Sequence, residues 1–217
     1  MRKVRRINEP AILQNNKATW TAHFYEEVKT NHGYRGMNKT VRDKYNHAQV
    51  KTALKKMYSG KCCYCENKIG EEGYENIEHL KPKSLPQFHC LTFDWSNLHW
   101  CCEKCNKRKG AKWNTHYPIV DPTKDNPLHH IDINVITGEL EAKTRRGRRT
   151  INDPDLNRIE LVEARKAIIY KLNEIHLMVL STPTLKDDQH FKNLLHSFIQ
   201  ENIEFSSLMQ SYITKWN

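Results

Sequence analysis

Apolar residues recur at three- and four-residue steps in two separate parts of the chain, and this spacing predicts helices near both ends. In the N-terminal part, from Pro10 to about Met57, the pattern consists of Ala11, Ile12, Leu13, Trp20, Phe24, Val28, Val41, Tyr45, Val50, Leu54 and Met57. Asn31-His32-Gly33 and Arg35-Gly36 interrupt the pattern and predict a loop. We therefore expect residues 1–59 to form a helical region.

The C-terminal part, residues 151–217, carries two further apolar stripes. The first follows Asp153-Pro154 and consists of Leu156, Ile159, Val162, Ile169, Leu172, Ile175 and Val179. The second follows Thr182-Pro183 and predicts one more helix through Phe191, Leu194, Leu195, Phe198, Ile203, Leu208, Met209, Tyr212 and Trp216. Such stripes are typical of packing surfaces, so we expect a helical region that packs internally or docks onto a partner.

Between these regions the pattern changes twice. Residues 60–122 combine cysteines, histidines and prolines with short apolar runs, which is typical of a small unit nucleated by metal. In residues 123–150, alternation from Ile131 to Ile136 meets Thr137-Gly138 and predicts a hairpin whose return strand begins at Leu140. A basic linker is expected after this hairpin, and the fold class is α+β.

The charge is strongly asymmetric along the chain. Of 217 residues, 35 are Lys or Arg and 25 are Asp or Glu, a formal net charge of +10. Residues 1–61 contain 14 basic and 4 acidic side chains, so the whole excess lies ahead of the cysteines. An excess of this size indicates a polyanionic partner, although a solvated basic helical region is the alternative interpretation.

The chain lacks a run of about 20 apolar residues that would span a membrane, and its first ten residues lack the apolar stretch of a secretory signal. We therefore expect a cytoplasmic protein. Its seven cysteines are an odd number, and four of them form two C-x-x-C pairs. In a reducing compartment this arrangement favours metal binding over disulfides.

The two cysteine pairs predict a structural zinc site. Cys62 and Cys65 form the first pair, Cys102 and Cys105 the second, and 36 residues separate the pairs. Four thiolates complete the tetrahedral shell of Zn²⁺ and leave no position for water, so the expected role is to join two distant segments. Cys63 and Cys101 adjoin these ligands and remain alternatives, and Cys90 is expected to be a buried apolar side chain.

Residues of a different kind lie between and just after the two pairs. They are Ile77-Glu78-His79-Leu80, Asp94-Trp95-Ser96-Asn97-Leu98, and Asn106 directly after the second pair. This run resembles the HNH (ββα-metal) endonucleases that carry a zinc site, whose pattern is C-x-x-C, an acidic-His pair, Asn-Leu, and C-x-x-C-Asn. The resemblance implies a two-stranded ribbon followed by a helix, flanked here by the N- and C-terminal helical regions.

The resemblance also implies a role for each residue of the run. His79 would be the general base that activates water, a task that suits its near-neutral pKa. Glu78 and Asn106 would hold a catalytic Mg²⁺ or Mn²⁺ through hard oxygen atoms. Asn97 would fix the loop of the ribbon through hydrogen bonds. The third position of the motif is Asn106 rather than the more common histidine, and this departure favours a hard ion such as Mg²⁺.

Basic residues around the run are expected to contact phosphates of a nucleic acid. Two basic runs lie at residues 104–112 and 143–149. Taken alone, each run is more often a solvated face, and the neighbouring motif is what favours nucleic-acid binding. The candidates are Lys81, Lys83, Lys104, Lys107, Arg108, Lys109, Lys112, Arg145, Arg146, Arg148 and Arg149.

The resemblance extends beyond the motif. Met1-Arg2-Lys3-Val4 with Glu9-Pro10, the segment from Tyr117 to Pro122, Thr150-Ile151, Leu156-Asn157, Leu161 and Arg165 resemble the PtuB-type HNH nucleases of Septu and retron-associated anti-phage systems. This resemblance implies an effector subunit that works with a PtuA-type ATPase and, in the retron subtype, with a reverse transcriptase and its DNA-RNA product. The C-terminal helices would be the docking elements.

Two rival interpretations remain at this point. A zinc-stabilised nucleic-acid-binding module without catalysis needs only the cysteines and the basic patches, but has no use for Glu78, His79, Asn97 and Asn106 together. A stand-alone restriction or homing enzyme would keep the catalysis; no separate recognition domain is visible in the sequence, although the helical flanks are an alternative recognition element. Double-stranded DNA is the default substrate, and single strands and structured RNA such as tRNA stay open.

Overall fold

The computed structural model describes residues 1–70, 75–214 and 216. In this part of the chain, eight α-helices and two separate two-stranded antiparallel sheets form a mixed α+β fold. This agrees with the predicted fold class. No described helix is both long enough and apolar enough to cross a membrane.

The N-terminal region is helical, as its apolar spacing predicts. Helix α1 (Ala11–Thr30) buries Leu13 and Phe24 completely, and the predicted loop follows it. Helix α2 (Lys39–Arg42) and a 3₁₀ turn (Lys44–Asn46) lead into α3 (Ala48–Met57), which buries its apolar positions four and three residues apart. Helix α3 packs on the central two-stranded sheet described below, and α1 packs on the loop between its strands. This region is therefore part of the same core.

The segment ahead of α1 is bound to the central region by long-range hydrogen bonds. Arg6 Nη1 donates to the carbonyl oxygens of Trp95 and Leu98 at 2.6 and 3.0 Å, and Trp95 Nε1 donates to Ile7 O at 2.9 Å. Part of the N-terminal positive charge is therefore structural.

The central ribbon consists of β1 (Glu75–His79) and β2 (Leu98–Cys102), paired antiparallel with Glu78 opposite His99 and His79 opposite Leu98. Helix α4 (Glu103–Lys109) follows β2 directly and ends at Gly110, whose φ of 51° allows the chain to leave the helix. Two strands and a helix thus succeed one another around the predicted motif. The loop between the strands contains two 3₁₀ turns (Pro86–Leu91 and Trp95–Asn97).

The predicted hairpin is present as β3 (Ile131–Ile133) and β4 (Leu140–Ala142). The residues expected to be a basic linker instead form α5 (Arg145–Asn152). Thr144 caps this helix by accepting a hydrogen bond from Gly147 N at 3.0 Å. Gly147 packs against the carbonyl of His130 so closely that a Cβ atom would lie 1.9 Å from its oxygen. A cap and a close helix contact, neither visible in the charge pattern, therefore order this segment.

The C-terminal region contains three helices, one more than the apolar pattern predicts. Helix α6 (Ile159–Ser181) matches the first stripe, but the second stripe is divided between α7 (Gln189–Phe198) and α8 (Ser206–Ile213). The break ends at Phe205, whose φ of 52° is left-handed. Lys61 Nζ donates to Ile203 O at 2.8 Å, so a contact from the core holds the interrupted segment.

Candidate functional site

The four predicted zinc ligands lie together. The Sγ atoms of Cys62, Cys65, Cys102 and Cys105 are all within 4.8 Å of one another, and those of Cys65 and Cys102 are 3.9 Å apart. Thiolates bound at about 2.3 Å to a tetrahedral zinc lie about 3.8 Å apart, so the spacing fits that ion. Three of the four side chains are buried, which suits a structural site closed to water.

A second, overlapping group contains Cys62, Cys63 and Cys101. It has three sulfur atoms, one short of a closed zinc shell. The pairs 62/65 and 102/105 are therefore the better ligand set. Cys90, expected to be buried, is exposed because it lies on the outer side of a 3₁₀ turn.

Arg158 supports the cysteine group from outside. Its Nη1 atom donates to Cys105 Sγ at 3.4 Å and to Asp155 O at 3.0 Å. A zinc ion with four thiolates carries a net charge of −2, which a guanidinium partly offsets. The segment before α6 is thereby connected to the metal site.

His79 lies at the end of β1 with its imidazole buried, 4% exposed. Its Nε2 atom is 2.9 Å from the carbonyl oxygen of Thr92. A carbonyl only accepts, so Nε2 carries the proton and Nδ1 has the free lone pair. No described residue hydrogen-bonds to Nδ1. Burial, Lys83 and Lys109 lower the pKa of His79 well below its usual value, so the ring is neutral at pH 7.

Tyr45 packs edge-on against the His79 ring, with centroids 4.5 Å apart and planes at 88°. The tyrosine is buried, and its hydroxyl donates to Asp43 Oδ1 at 3.2 Å. Asp43 is in turn bound by Arg42 at 2.9 and 3.1 Å. The N-terminal region therefore forms one wall of the pocket that holds His79.

Asn97 connects the loop to the ribbon through both the oxygen and the NH₂ group of its side-chain amide. Its Oδ1 accepts from Lys81 N at 2.8 Å, and its Nδ2 donates to Lys81 O at 3.0 Å and Leu91 O at 3.1 Å. Leu80 N also donates to Asn97 O at 3.0 Å. This geometry agrees with the loop-fixing role that the resemblance implies.

Glu78 is buried and forms an ion pair with Lys109, whose ammonium also donates to His79 O at 2.9 Å. Tyr64 donates to the same oxygen, Oε1, at 3.3 Å. Burial raises the pKa of Glu78, and Lys109 opposes this shift. Lys109, expected to contact phosphate, instead lies in the interior because the register of α4 directs it at Glu78.

The donor set for a catalytic cation is small. No described residue hydrogen-bonds to Oε2 of Glu78 or to the side-chain amide of the half-buried Asn106. Carboxylate and amide oxygens are of the kind that Mg²⁺ takes as ligands, and this ion keeps several waters, so it needs only one or two protein ligands. Among the described residues, the two cysteine groups are the only clusters of three or more Cys, His, Asp or Glu ligand atoms at metal-binding spacing. Water or substrate would therefore complete the shell.

Ion pairs occupy about half of the basic residues predicted to bind nucleic acid. Lys104, Lys107 and Arg108 pair with Glu160, Glu103 and Asp155, while Arg146 and Arg149 pair with Asp125 and Asp153. Lys81, Lys83, Lys112, Arg145 and Arg148 form no ion pair with a described residue. The motif did not single out Tyr45, Tyr64 or Thr92, because each reaches the site through tertiary packing alone.

Comparison with known proteins shows similarity over most of the chain. Septu protein PtuB of Bacillus mycoides (strain KBAB4) is 29% identical over 198 residues, 77% of this chain and 67% of that protein. Septu protein PtuB of Bacillus thuringiensis is 30% identical over 158 residues, 72% of this chain and 55% of that protein. The chain thus spans between about half and two thirds of these curated relatives.

A weaker similarity extends to Septu protein PtuA of Bacillus mycoides (strain KBAB4), 20% identical over 190 residues and 26% of that protein. No family model matches the chain. The predicted similarity to PtuB-type proteins is confirmed.

Proposed function

We propose that the protein is a metal-dependent HNH endonuclease and an effector component of a Septu-type anti-phage system. The observation that carries the proposal is the state of His79. Its Nε2 proton is bound by Thr92 O at 2.9 Å, and Nδ1 has no described partner, so a lone pair is available to accept a proton. The similarity to Septu PtuB proteins supports the defence role.

In this mechanism, Nδ1 of His79 accepts the proton of a water molecule that attacks the phosphorus atom. Thr92 and Tyr45 keep the ring in place while it becomes charged. Glu78 Oε2 and Asn106 would hold the cation, which would neutralise charge on the phosphate and the leaving oxygen. Asn97 keeps the loop in register with the ribbon. A zinc ion bound by Cys62, Cys65, Cys102 and Cys105 would hold the two ends of the unit together.

The rival function is a zinc-stabilised nucleic-acid-binding module without catalysis. One observation favours it, because the ammonium of Lys109 already neutralises Glu78 and could take the place of a metal ion there. In the nuclease, Lys109 would keep its contact with Oε1 of Glu78, and Oε2 would be the oxygen available to the cation. Cleavage assays separate the two functions.

The proposed partners follow from the same similarity. A PtuA-type ATPase would hold this subunit through the C-terminal helices, where Tyr170, Leu177 and Leu180 of α6 are more than 60% exposed. A retron reverse transcriptase with its DNA-RNA product would be a further partner if the system is of the retron subtype. The subtype and the substrate, DNA or RNA, are decided by experiment.

The test is cleavage of plasmid DNA and of total cellular RNA in Mg²⁺ or Mn²⁺, with and without the ATPase. Wild type is compared with His79→Ala and with His116→Ala, an exposed histidine as matched control. We expect cleavage by wild type and the control, and at least a hundredfold loss in His79→Ala with zinc content unchanged. Binding without cleavage under every condition would favour the rival function.

A further inference from the structure

Lys83 is a sheltered cation beside His79 that has no ion-pair partner among the described residues. It is half-buried in the loop after β1, and its Nζ lies 4.7 Å from the centroid of the Tyr45 ring. The nearby carboxylates are already engaged, Asp43 by Arg42 and Glu78 by Lys109. Burial lowers the pKa of Lys83, and the carboxylates of Asp43 and Glu78 oppose this shift. An external anion that pairs with it would stabilise a partly desolvated ammonium of this kind.

Two more lysines also lie against aromatic rings. Lys44 Nζ lies 5.9 Å from the centroid of the Trp20 ring, and Lys81 Nζ lies 5.7 Å from that of Phe88. Both are half-buried, and neither forms an ion pair with a described residue. Tyr45 packs directly on His79 and contacts Lys83, so Lys83 lies beside the candidate base. Lys44 adjoins Tyr45 in the sequence and Lys81 follows His79 by two residues. These three residues, Lys44, Lys81 and Lys83, are the lysine cluster.

Most basic residues of the helices α4 and α5 already have carboxylate partners. Lys104, Lys107, Arg108, Arg146 and Arg149 form ion pairs at 2.5 to 3.6 Å, whereas Arg145 and Arg148 form none with a described residue. A phosphate binding to the five paired side chains would have to break these pairs, whereas the lysine cluster would gain its first anionic partner. The aromatic rings also hold the lysine stems in place, which reduces the entropy lost on binding.

We propose that the lysine cluster, with Lys83 at its centre, grips the phosphodiester backbone of the substrate beside His79. The inference rests on the proposed function, since it takes a nucleic acid as the partner. It assigns phosphate binding to the N-terminal region and the loop after β1, rather than to the ion-paired basic residues of α4 and α5. Lys44, which no sequence motif includes, becomes part of the interface.

The experiment measures binding of the full chain to a labelled DNA duplex and to a single strand, in Ca²⁺ and at several salt concentrations. Lys44→Gln, Lys81→Gln, Lys83→Gln and the triple variant are compared with Lys107→Gln, Arg108→Gln and the distant exposed Lys186→Gln. Each phosphate contact contributes about 0.9 to the logarithmic salt slope on duplex DNA and about 0.7 on single strands. At about 0.15 M salt this corresponds to roughly fivefold in affinity per contact.

We expect each cluster variant to lose about one contact, and the triple variant to lose roughly a hundredfold in affinity. Lys83→Arg should keep the affinity, and the three comparison variants should bind as wild type does. Competition with inorganic phosphate and with a mononucleotide distinguishes a polymer from a free phosphate, since only the polymer should bind at micromolar concentration. Melting temperature and zinc content report on folding.

The inference is overturned if the cluster variants bind like wild type, or if Lys107→Gln and Arg108→Gln carry the loss instead. A protein that binds through the cluster but never cleaves keeps this inference and loses the nuclease function. Cleavage with unchanged affinity in the triple variant keeps the nuclease function and overturns this inference. A wild type that binds neither DNA nor RNA contradicts both.

Discussion

The ammonium of Lys109 and the carboxylate of Glu78 form an ion pair in the interior, with side-chain exposures of 1% and 2%. The two residues come from α4 and β1, so the pair connects the helix to the ribbon next to His79, the last residue of β1. The charge of each partner depends on the other, because neither is hydrated. The pair therefore supports the geometry of the candidate site.

Lys109→Met should lower the free energy of unfolding by about 3–5 kcal/mol, because it leaves a buried carboxylate without its cation. Glu78→Gln combined with Lys109→Met should recover much of this loss, since a neutral pair needs no charge compensation. Urea denaturation measures both effects. The control is Lys107→Met, which breaks an exposed pair on the same helix and should cost less than about 1 kcal/mol. Equal losses in Lys109→Met and Lys107→Met would contradict a structural ion pair.

Cys105→Ser should abolish zinc binding and unfold the central region, since metal-binding energy in such a unit is folding energy. The wild type should contain one zinc per chain by elemental analysis. Cys90→Ser, at an exposed cysteine outside the ligand set, should keep its zinc and its melting temperature. Stoichiometric zinc in Cys105→Ser with a normal melting curve would show that the ligand set is different.

Tyr45→Ala should lower the cleavage rate more than the affinity for substrate, because it removes the wall against which His79 packs. Tyr45→Phe keeps the ring and loses only the hydrogen bond to Asp43, so its kcat should stay within a few fold of wild type. The ¹⁵N signals of the imidazole add a readout independent of activity. We expect an Nε2-protonated ring in wild type and Tyr45→Phe, and mixed tautomers in Tyr45→Ala. Unchanged signals in Tyr45→Ala would exclude a positioning role.

The protein should lose stability in mild acid through His99. This residue is fully buried between Tyr58, at 2.6 Å, and Arg6, at 3.3 Å, and burial lowers the pKa of its imidazole well below the usual value. Below about pH 6.5 the unfolded chain therefore binds a proton that the native ring does not. The free energy of unfolding falls with decreasing pH, at up to about 1.4 kcal/mol per pH unit for each such group.

Urea denaturation between pH 7 and pH 5 measures this slope, with zinc content determined at each pH. His99→Gln should be less stable at pH 7 but should show a shallower slope, because one titrating group has been removed. A slope identical to that of wild type would assign the acid sensitivity to other groups, such as His79, whose pKa is also lowered.

Local patterns were sufficient to predict the parts of the fold that depend on nearby residues. The spacing of Cys62 and Cys65 anticipates a turn that directs two sulfur atoms at one ion, and the alternation from Ile131 onward anticipates the hairpin. The loop-fixing role of Asn97 came from the resemblance alone, and in the structure its side chain hydrogen-bonds to Lys81 and Leu91.

Long-range packing explains what the sequence could not provide. A lysine three residues after Asn106 is expected on the solvated side of a short helix, and only the tertiary structure brings Lys109 to Glu78. Tyr45 lies 34 positions before His79, and its apolar spacing predicts core without naming a neighbour. Ile203 and Leu208 belong to one helical stripe by spacing, yet Phe205 between them has a left-handed backbone that ends the break between α7 and α8.

The distance along the chain between the two cysteine pairs has a consequence for biosynthesis. The first pair leaves the ribosome well before the second, and β2 together with the segment up to Cys105 must follow before the four sulfur atoms can meet. Until then β1 lacks its partner strand, and the proposed zinc would lack two of its four ligands. With zinc as the proposed ion, its supply during translation would set when a newly made chain matures, and a cell starved of zinc would accumulate chains that are synthesised in full but not matured.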